Sequence, residues 1–376
     1  MAIAVAVLVA LTAGSLVFSL LVVVAAWRYL RARPPRLARP VPISLLKPLS
    51  GLDEGLEENL RSYFRQDYPN FEILLAVRHA DDPAAAVVEK LLPEFPGVPA
   101  RLIVTGEPPY PNAKVFALDR MLAQARHDLL VMTDSDTRAT TTAMLNTLAA
   151  EFQDPHLGLT TCPYRAVPGR SPWSVLEAVG MNTEFLAGIL VARMLEGMKF
   201  GVGPAMAARR ETLLRIGGFD GLKDYLAEDF MMGKLAADAG FGTGLSSCMI
   251  EHRIGTQRLA PNLEHRLRWV RSTRRSRPAG YVGQVFTYLL PPALLLCAFA
   301  PSWWPLLAAS VVVRALAAWA VAGWVLRDPL TRRKWWLVPV QDFASFALWA
   351  AGFFGNTVSW RGHRYVVYRD GKFGRV

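Results

Sequence analysis

The sequence predicts an α/β domain with a parallel sheet, held at a membrane by apolar segments near both ends of the chain. Two observations carry that reading. Between residues 40 and 280 short apolar strands alternate with helical stretches, the pattern of βαβ units. On either side lie uncharged runs long enough to cross a hydrocarbon layer, flanked by arginine. The 52% hydrophobic content of the 376 residues is concentrated in those runs, and the middle reads as an ordinary globular domain.

Residues Ala2–Trp27 carry no charge and are followed by Arg28, Arg31, Arg33 and Arg36. Basic residues after the apolar run, rather than before it, predict an uncleaved anchor (1–33) with its N-terminus outside and its basic end in the cytoplasm. Pro34–Pro42 reads as a linker. Strands are then predicted at Val41–Leu46, Phe71–Val77, Ala100–Val104 and Leu129–Met132, separated by helices at Leu56–Phe64, Ala84–Leu92 and Val115–Ala125. Such sheets bind ligands at the carboxyl ends of their strands. Phe185–Phe200, with Arg193, Glu196 and Lys199, predicts an amphipathic helix lying on the membrane. Three further apolar blocks follow in the region 281–358: Val282–Ala300, Trp303–Val325 and Trp335–Phe354. The basic stretch Arg327–Lys334 makes the first two a hairpin returning to the cytoplasm, and the third is open between a span and an interfacial helix. A basic tail (359–376) closes the sequence.

The net charge of +11 sits beside the apolar segments and after the central domain, which suits anionic lipid headgroups better than nucleic acid. Three cysteines, Cys162, Cys248 and Cys297, without a CxxC, give neither a disulfide framework nor a zinc site. No Gly-rich dinucleotide loop is present, which excludes the common oxidoreductase reading.

Four constellations carry chemistry. Asp81-Asp82-Pro83 follows a strand and reads equally as a helix cap or as a contact to a nucleobase or ribose. Asp134-Ser135-Asp136 follows the strand Leu129–Met132, where two carboxylates converge on a hard divalent cation, Mn²⁺ or Mg²⁺, that also binds a diphosphate. Asp229, in Glu228-Asp229, is the candidate general base for an acceptor hydroxyl. Arg268-Trp269 pairs a guanidinium suited to diphosphate with an indole suited to a sugar or base, while the arginines from Arg271 to Arg277 are expected against lipid phosphates. Lys47 and Lys114 are lesser candidates for phosphate contact.

The stretches SLLKPLSGLDEGLEENLRSYFRQDYPNFEILLAVRHADDPA, PNAKVFAL, DSDTR, GGFDGLKDYLAEDF, RLRW and SWRGHRY together resemble the ceramide glucosyltransferases, a branch that includes bacterial hopanoid-associated glycosyltransferases. The resemblance runs from Ile43 to Arg277 and resumes at Ser359–Tyr365. It implies the glycosyltransferase A fold with a cytoplasmic catalytic domain on a multi-pass membrane protein. It also implies Asp82 at the nucleotide, Asp134 at the metal and donor diphosphate, Asp229 as base, and Arg268 with Trp269 near donor and acceptor; Asp136 gives this chain a complete DxD, which suits metal dependence. His265 stands where the family's (Q/R)xxRW element has Gln or Arg.

The resulting expectation is an inverting, metal-dependent transfer of glucose from UDP-glucose to a lipid hydroxyl, ceramide first. N-acetylglucosamine or another hexose, and hopanoid or diacylglycerol acceptors, remain alternatives. So does a processive polysaccharide synthase, although His265 interrupts that class's motif.

Overall fold

The computed structural model describes residues 1–376 apart from Arg33 and Arg361. Those two arginines, counted in the anchor's basic end and at the start of the basic tail, lie outside the described residues.

The central sheet grows from the predicted alternation. Strands β1 (Ile43–Pro48), β2 (Phe71–Val77), β3 (Ala100–Val104) and β4 (Leu129–Thr133) pair in parallel, with β1 between β2 and β4. Helices α2 (Leu56–Phe64), α3 (Pro83–Leu91) and α4 (Ala113–Leu122) make the crossovers. Every residue of β2 and β4 is buried, because both faces of the sheet are covered. β1 starts two residues later than predicted, because Tyr68 holds the backbone of Val41 through its hydroxyl.

Beyond β4 the chain forms β5 (Thr137–Ala139), α5 (Met144–Glu151), β6 (Leu157–Thr161) and β7 (Tyr164–Pro168). Then come α6 (Pro172–Gly180), α7 (Leu186–Glu196), β8 (Ala205–Arg209), α8 (Arg210–Arg215), α9 (Glu228–Asp238), β9 (Gly242–Leu245) and β10 (Ile250–Gly255). The main sheet has the order β3-β2-β1-β4-β8-β6-β9, with β8 antiparallel to both neighbours. A smaller sheet, β5-β10-β7, lies beside it and sets Thr137 opposite His252.

The N-terminal helix α1 (Ala2–Arg31) is patterned inside out. Thr12, Ser15, Ser19, Val22 and Ala26 recur every three or four residues and are buried, while Val7, Val17, Leu20 and Val24 face outward. Small and hydroxylated residues toward protein with large aliphatics outward is the arrangement of a helix surrounded by lipid. α1 packs on α7 and on the C-terminal helices. Among the described residues three helices are long and apolar enough to cross a membrane: Ala2–Arg31, Pro172–Glu196 and Pro301–Val325.

The second of these corrects the expectation for Phe185–Phe200. The helix begins at Pro172, continues through a π-helical turn at Met181–Phe185, and is largely covered by protein. Arg193 and Glu196 do not face lipid phosphates: Arg193 lies over the ring of Tyr29 and Glu196 pairs with Arg277. Both ends lead back into strands of the same domain, β7 and β8, so the segment is an embedded helix rather than a single crossing.

After α10 (Leu259–Ser276), the first C-terminal block is broken. α11 (Pro278–Gly283) with the turn after it meets α12 (Leu290–Phe299) at a 60° bend. α13 (Trp304–Ala318) runs through a π-helical end at Trp319–Val325, α14 (Pro329–Arg333) follows, and α15 (Leu337–Gly352) is 16 residues long. At 1.5 Å per residue α15 reaches about 24 Å, short of a hydrocarbon core of about 30 Å.

The expected basic tail is instead a three-stranded antiparallel sheet, β11 (Thr357–Trp360), β12 (His363–Val367) and β13 (Phe373–Arg375). Val358, Tyr365, Val367 and Phe373 form a core with Leu226 of the central domain. The Phe373 N–H donates to the Asp224 carbonyl at 2.8 Å, and Tyr225 bridges to Lys372. The tail and the segment leading to Asp229 therefore lie on the same side, which requires the helices between them to return there. Arg271 and Arg274, expected at lipid phosphates, donate to the carbonyls of Thr357, Phe353 and Gly355 and fasten the end of α15 to this sheet.

Arg314 and Asp342 form a fully buried pair between α13 and α15, with three hydrogen bonds of 2.7–3.0 Å. Breaking one side of such a pair leaves an uncompensated charge and costs about 3–5 kcal/mol. Asp342→Leu is expected to lower the thermal midpoint of the purified protein sharply, and the double replacement of Arg314 and Asp342 by Leu to recover most of the loss. A double variant no more stable than the single one would contradict this.

Candidate active site

The carboxyl ends of β1 and β4 open into a cleft lined by Pro48, Lys114, Thr133, Asp134, Gly203, Glu228 and Asp229, among others. Asp134 is delivered by β4, Lys114 by the first turn of α4, and Glu228 with Asp229 by the first turn of α9. The structure thus brings together Asp134, Asp229 and Lys114, which lie far apart in sequence.

Lys114 is the hub. Its Nζ lies 2.7 Å from Asp134 Oδ1 and 3.0 Å from Glu228 Oε1. Burial disfavours its charge, but Asp134 and Glu228 overcome that and hold the ammonium above its ordinary range. Burial raises Asp134, Asp136 adds to the effect, and Lys114 opposes it. Asp229 is pushed up to about 6, first by burial and then by the Glu228 charge, with Lys114 working the other way. A carboxylate poised near neutrality is suited to proton abstraction.

Beneath the Asp134 turn lies Lys47, fully buried rather than available to phosphate. Its Nζ donates to the Asp134 carbonyl at 2.6 Å and to the hydroxyls of Thr133 and Thr137 at 3.2 Å, and it lies over the Tyr63 ring. Desolvation brings it down to about 7. Ser135 donates to Asp53, and its carbonyl accepts from Asn59. The turn is therefore gripped on every side, and its two carboxylates are aimed by their surroundings.

Asp136 points toward the smaller sheet, where its Oδ2 lies 3.1 Å from His252 Nε2. Burial opposes charge on both groups, but each sustains the other: Asp136 is held below the carboxylate range and His252 above the imidazole range. Asp136 Oδ1 and His252 Nδ1 are buried without hydrogen-bond partners. The orphaned carboxylate oxygen suits a hard divalent cation, with His252 fixing the other oxygen. Among the described residues no three such side chains form a ready cage, so a cation held here takes its remaining ligands from donor phosphate and water. His252 carried no local sequence signal; only the pairing of β5 with β10 brings it to Asp136.

Asp82 lies outside the lining of this cleft. Its carboxylate accepts from the Ala84 N–H, capping α3, and from the Gly51 N–H at 3.0 Å. The capping reading of Asp81-Asp82-Pro83 is thus realised, and the same carboxylate fixes the loop after β1. Arg268 and Trp269 lie on α10, also outside the cleft lining. Trp269 is joined to the metal-side residues by rings: His252 to Tyr164 at 5.3 Å, Tyr164 to Phe185 at 5.5 Å, Phe185 to Trp269 at 6.0 Å. His265 stacks on Trp269 and pairs with Glu177 at 3.0 Å, so its side chain braces the helix.

Residues 7–373 match the family described as Glycosyl transferase family 21. The chain belongs to that family. Within its sequence relatives, this family 21 chain is 25% identical to ceramide glucosyltransferase 3 of Caenorhabditis elegans over 229 residues, 61% of the chain and 50% of that protein. It is 31% identical to the ceramide glucosyltransferase of Komagataella phaffii over 144 residues, 36% of the chain and 28% of that protein. The chain thus spans half or less of the length of these relatives. Its fold is similar to that of the mannosyltransferase PcManGT of Pyrobaculum calidifontis, solved with GDP-Man and Mn²⁺. That likeness has a TM-score of 0.57 at 19% identity and covers 93% of this chain and 99% of the other. The catalytic domain has the glycosyltransferase A fold, with its mixed sheet and single reversed strand.

The segment Gly201–Pro204 separates the two acidic elements. The Pro204 carbonyl accepts from the Asp134 N–H at 2.9 Å, and a Cβ on Gly203 would stand 2.6 Å from Asp229 Oδ2. Gly203→Ala is expected to displace the Asp229 carboxylate and lower kcat at least tenfold, with donor KM and thermal midpoint near wild type. Wild-type kcat in that variant would show that the glycine is not needed for the placement of Asp229.

Proposed function

We propose that this chain is an inverting glycosyltransferase that moves a sugar from a nucleotide donor, UDP-glucose first, to the hydroxyl of a membrane lipid, ceramide foremost. The observation that carries the reading is the shared cleft of Asp134, Lys114 and Asp229 at the carboxyl edge of the sheet, on a domain fastened to apolar helices. The ceramide glucosyltransferase relatives support the acceptor class, and the membrane-compatible helices support delivery from the bilayer.

In this reading Asp134 and Asp136 would hold a divalent cation at the donor diphosphate, with His252 positioning Asp136, and the cation would supply charge neutralisation for the departing nucleoside diphosphate. Lys114 moves from a carboxylate bridge to a contact with donor phosphate, for which its raised proton affinity keeps it charged. Asp229 accepts the proton of the acceptor hydroxyl as that oxygen bonds to the anomeric carbon and the bond to diphosphate breaks. Attack opposite the leaving group inverts the anomeric configuration. Asp82 supports the nucleotide indirectly, through the loop at Gly51. Arg268 and Trp269 act at the acceptor side, reached along the aromatic series from His252.

The catalytic domain is placed on the cytoplasmic side, with α1 crossing once, the broken α11–α12 segment and α13 forming a hairpin, and α15 remaining within one leaflet. The ordered C-terminal sheet supports this arrangement because it shares the side of Asp229.

Incubating the purified protein with labelled UDP-sugars and a panel of lipids tests the reading. Asp229→Asn is expected to reduce transfer at least a thousandfold while donor binding, followed by calorimetry with UDP, changes less than threefold; near-normal turnover would remove Asp229 as base. Chelation should abolish transfer, and Mn²⁺ or Mg²⁺ should restore it.

The pH profile follows from the same residue. Asp229 works ionised, so kcat/KM falls as pH drops through about 6. Lys114 lowers the Asp229 pKa, so Lys114→Met should shift that acid limb to higher pH. A limb unmoved in Lys114→Met would separate the two groups.

A further inference from the structure

We infer that Glu184 is a recognition site for the lipid acceptor, taking a hydrogen bond from a headgroup donor other than the hydroxyl that is glycosylated. The inference rests on the lipid-acceptor reading above and narrows it to amide-bearing or polyhydroxylated neutral lipids.

Glu184 stands in the π-helical turn Met181–Phe185, inside a mostly apolar helix whose other carboxylates, Glu177 and Glu196, have ion-pair partners in His265 and Arg277. A π-turn costs regular hydrogen bonding and is frequent at functional sites. An ionisable residue in an apolar embedded segment needs a reason to be there. Its Oε2 atom is buried and accepts no hydrogen bond. Around it are Ser345 of α15, Arg266 of α10 and the Arg314–Asp342 pair, and Tyr288 at the bend before α12 lies against it. Asp342 already satisfies Arg314 through both carboxylate oxygens, and Arg266 donates to Ser345. The Glu184 Oε2 atom is therefore the acceptor of this cluster left without a partner, although the Ser345 and Tyr288 hydroxyls are close to the carboxylate.

Its position suits a headgroup in transit. Glu184 adjoins Phe185, a partly exposed ring that begins the series through Tyr164 to His252 and Asp136 on one side and touches Trp269 on the other. Tyr288 lies between two segments that pack with α1, and α15, which carries Ser345, packs on α12. A lipid presenting a hydroxyl to Asp229 while its chains stay among those helices passes its headgroup across this junction.

In its ionised form, which the neighbouring Arg266 and Arg314 favour, Glu184 accepts and does not donate, and it repels phosphate. Diacylglycerol has one free hydroxyl, consumed as the nucleophile, and offers Glu184 nothing further. Ceramide has an amide N–H and a second hydroxyl, and a hopanoid polyol has several hydroxyls. A site built to bond a donor discriminates strongly against an analogue that lacks it.

Steady-state kinetics of the full-length protein with UDP-glucose, using short-chain fluorescent ceramide and the matching diacylglycerol, tests the assignment in wild type, Glu184→Gln and Glu184→Ala. The acceptor KM for ceramide is expected to rise about 10- to 100-fold in Glu184→Ala, the scale of a lost bond to a charged group, and less in Glu184→Gln, which keeps a carbonyl. Donor KM and kcat should stay within threefold, and the weak use of diacylglycerol should be unaffected. Ceramide KM within twofold of wild type in both variants overturns the inference, as does a wild type that uses diacylglycerol equally well. Loss of folded protein in both variants would make Glu184 a structural counter-ion of Arg266 and overturns it too. A wild type that glycosylates no lipid would defeat the functional reading instead; the site then stands or falls on equilibrium binding of the fluorescent ceramide, which Glu184→Ala must weaken by the same factor.

Discussion

Four carboxylates cannot share a space withdrawn from water unless cations are built in beside them, and this constraint organises the catalytic domain. Lys114 bridges Asp134 and Glu228 from above, and Lys47 holds the backbone of the same turn from below. Each lysine would be costly to bury alone, and each carboxylate likewise. Together they fix the strand ends, the first turns of α4 and α9, and the Gly201–Pro204 segment in one arrangement. His252 does the same for Asp136 from the neighbouring sheet.

That balance bears on chemistry as well as folding. An anion entering this cleft would change the charge partners of Lys114 and Asp134 at once, and Lys114 would pass that change on to Asp229. The Asp229 carboxyl, raised by burial and by Glu228, is the group most sensitive to such an exchange.

Much of this was legible in the sequence because local patterns set it. α2, β2 and β3 have the predicted bounds, since apolar runs closed by polar turns leave little choice of register. Motif placement and the family resemblance pointed to Asp134 and Asp229, and Lys114 was a lesser candidate; the fold gathers all three in one cleft. What escaped depends on pairing between distant segments. His252 is an unremarkable histidine until β10 lies against β5, and Gly203 is one glycine among 28 until Asp229 packs on it. The charges of Arg193, Glu196, Arg271 and Arg274 suggested lipid contact, yet tertiary partners claim all four. Asp82 shows the converse, a capping residue whose second bond, to Gly51, no spacing rule contains.

The small sheet β11–β13 follows every helix of the apolar block in chain order, yet it buttresses the segment that leads into Asp229. Chain order and support of the cleft are thereby linked: the strand that carries Asp134 precedes the apolar helices, whereas the sheet that braces the segment before Asp229 follows them. A chain cut short after the last helix would keep the Asp134 side of the cleft and lose that brace.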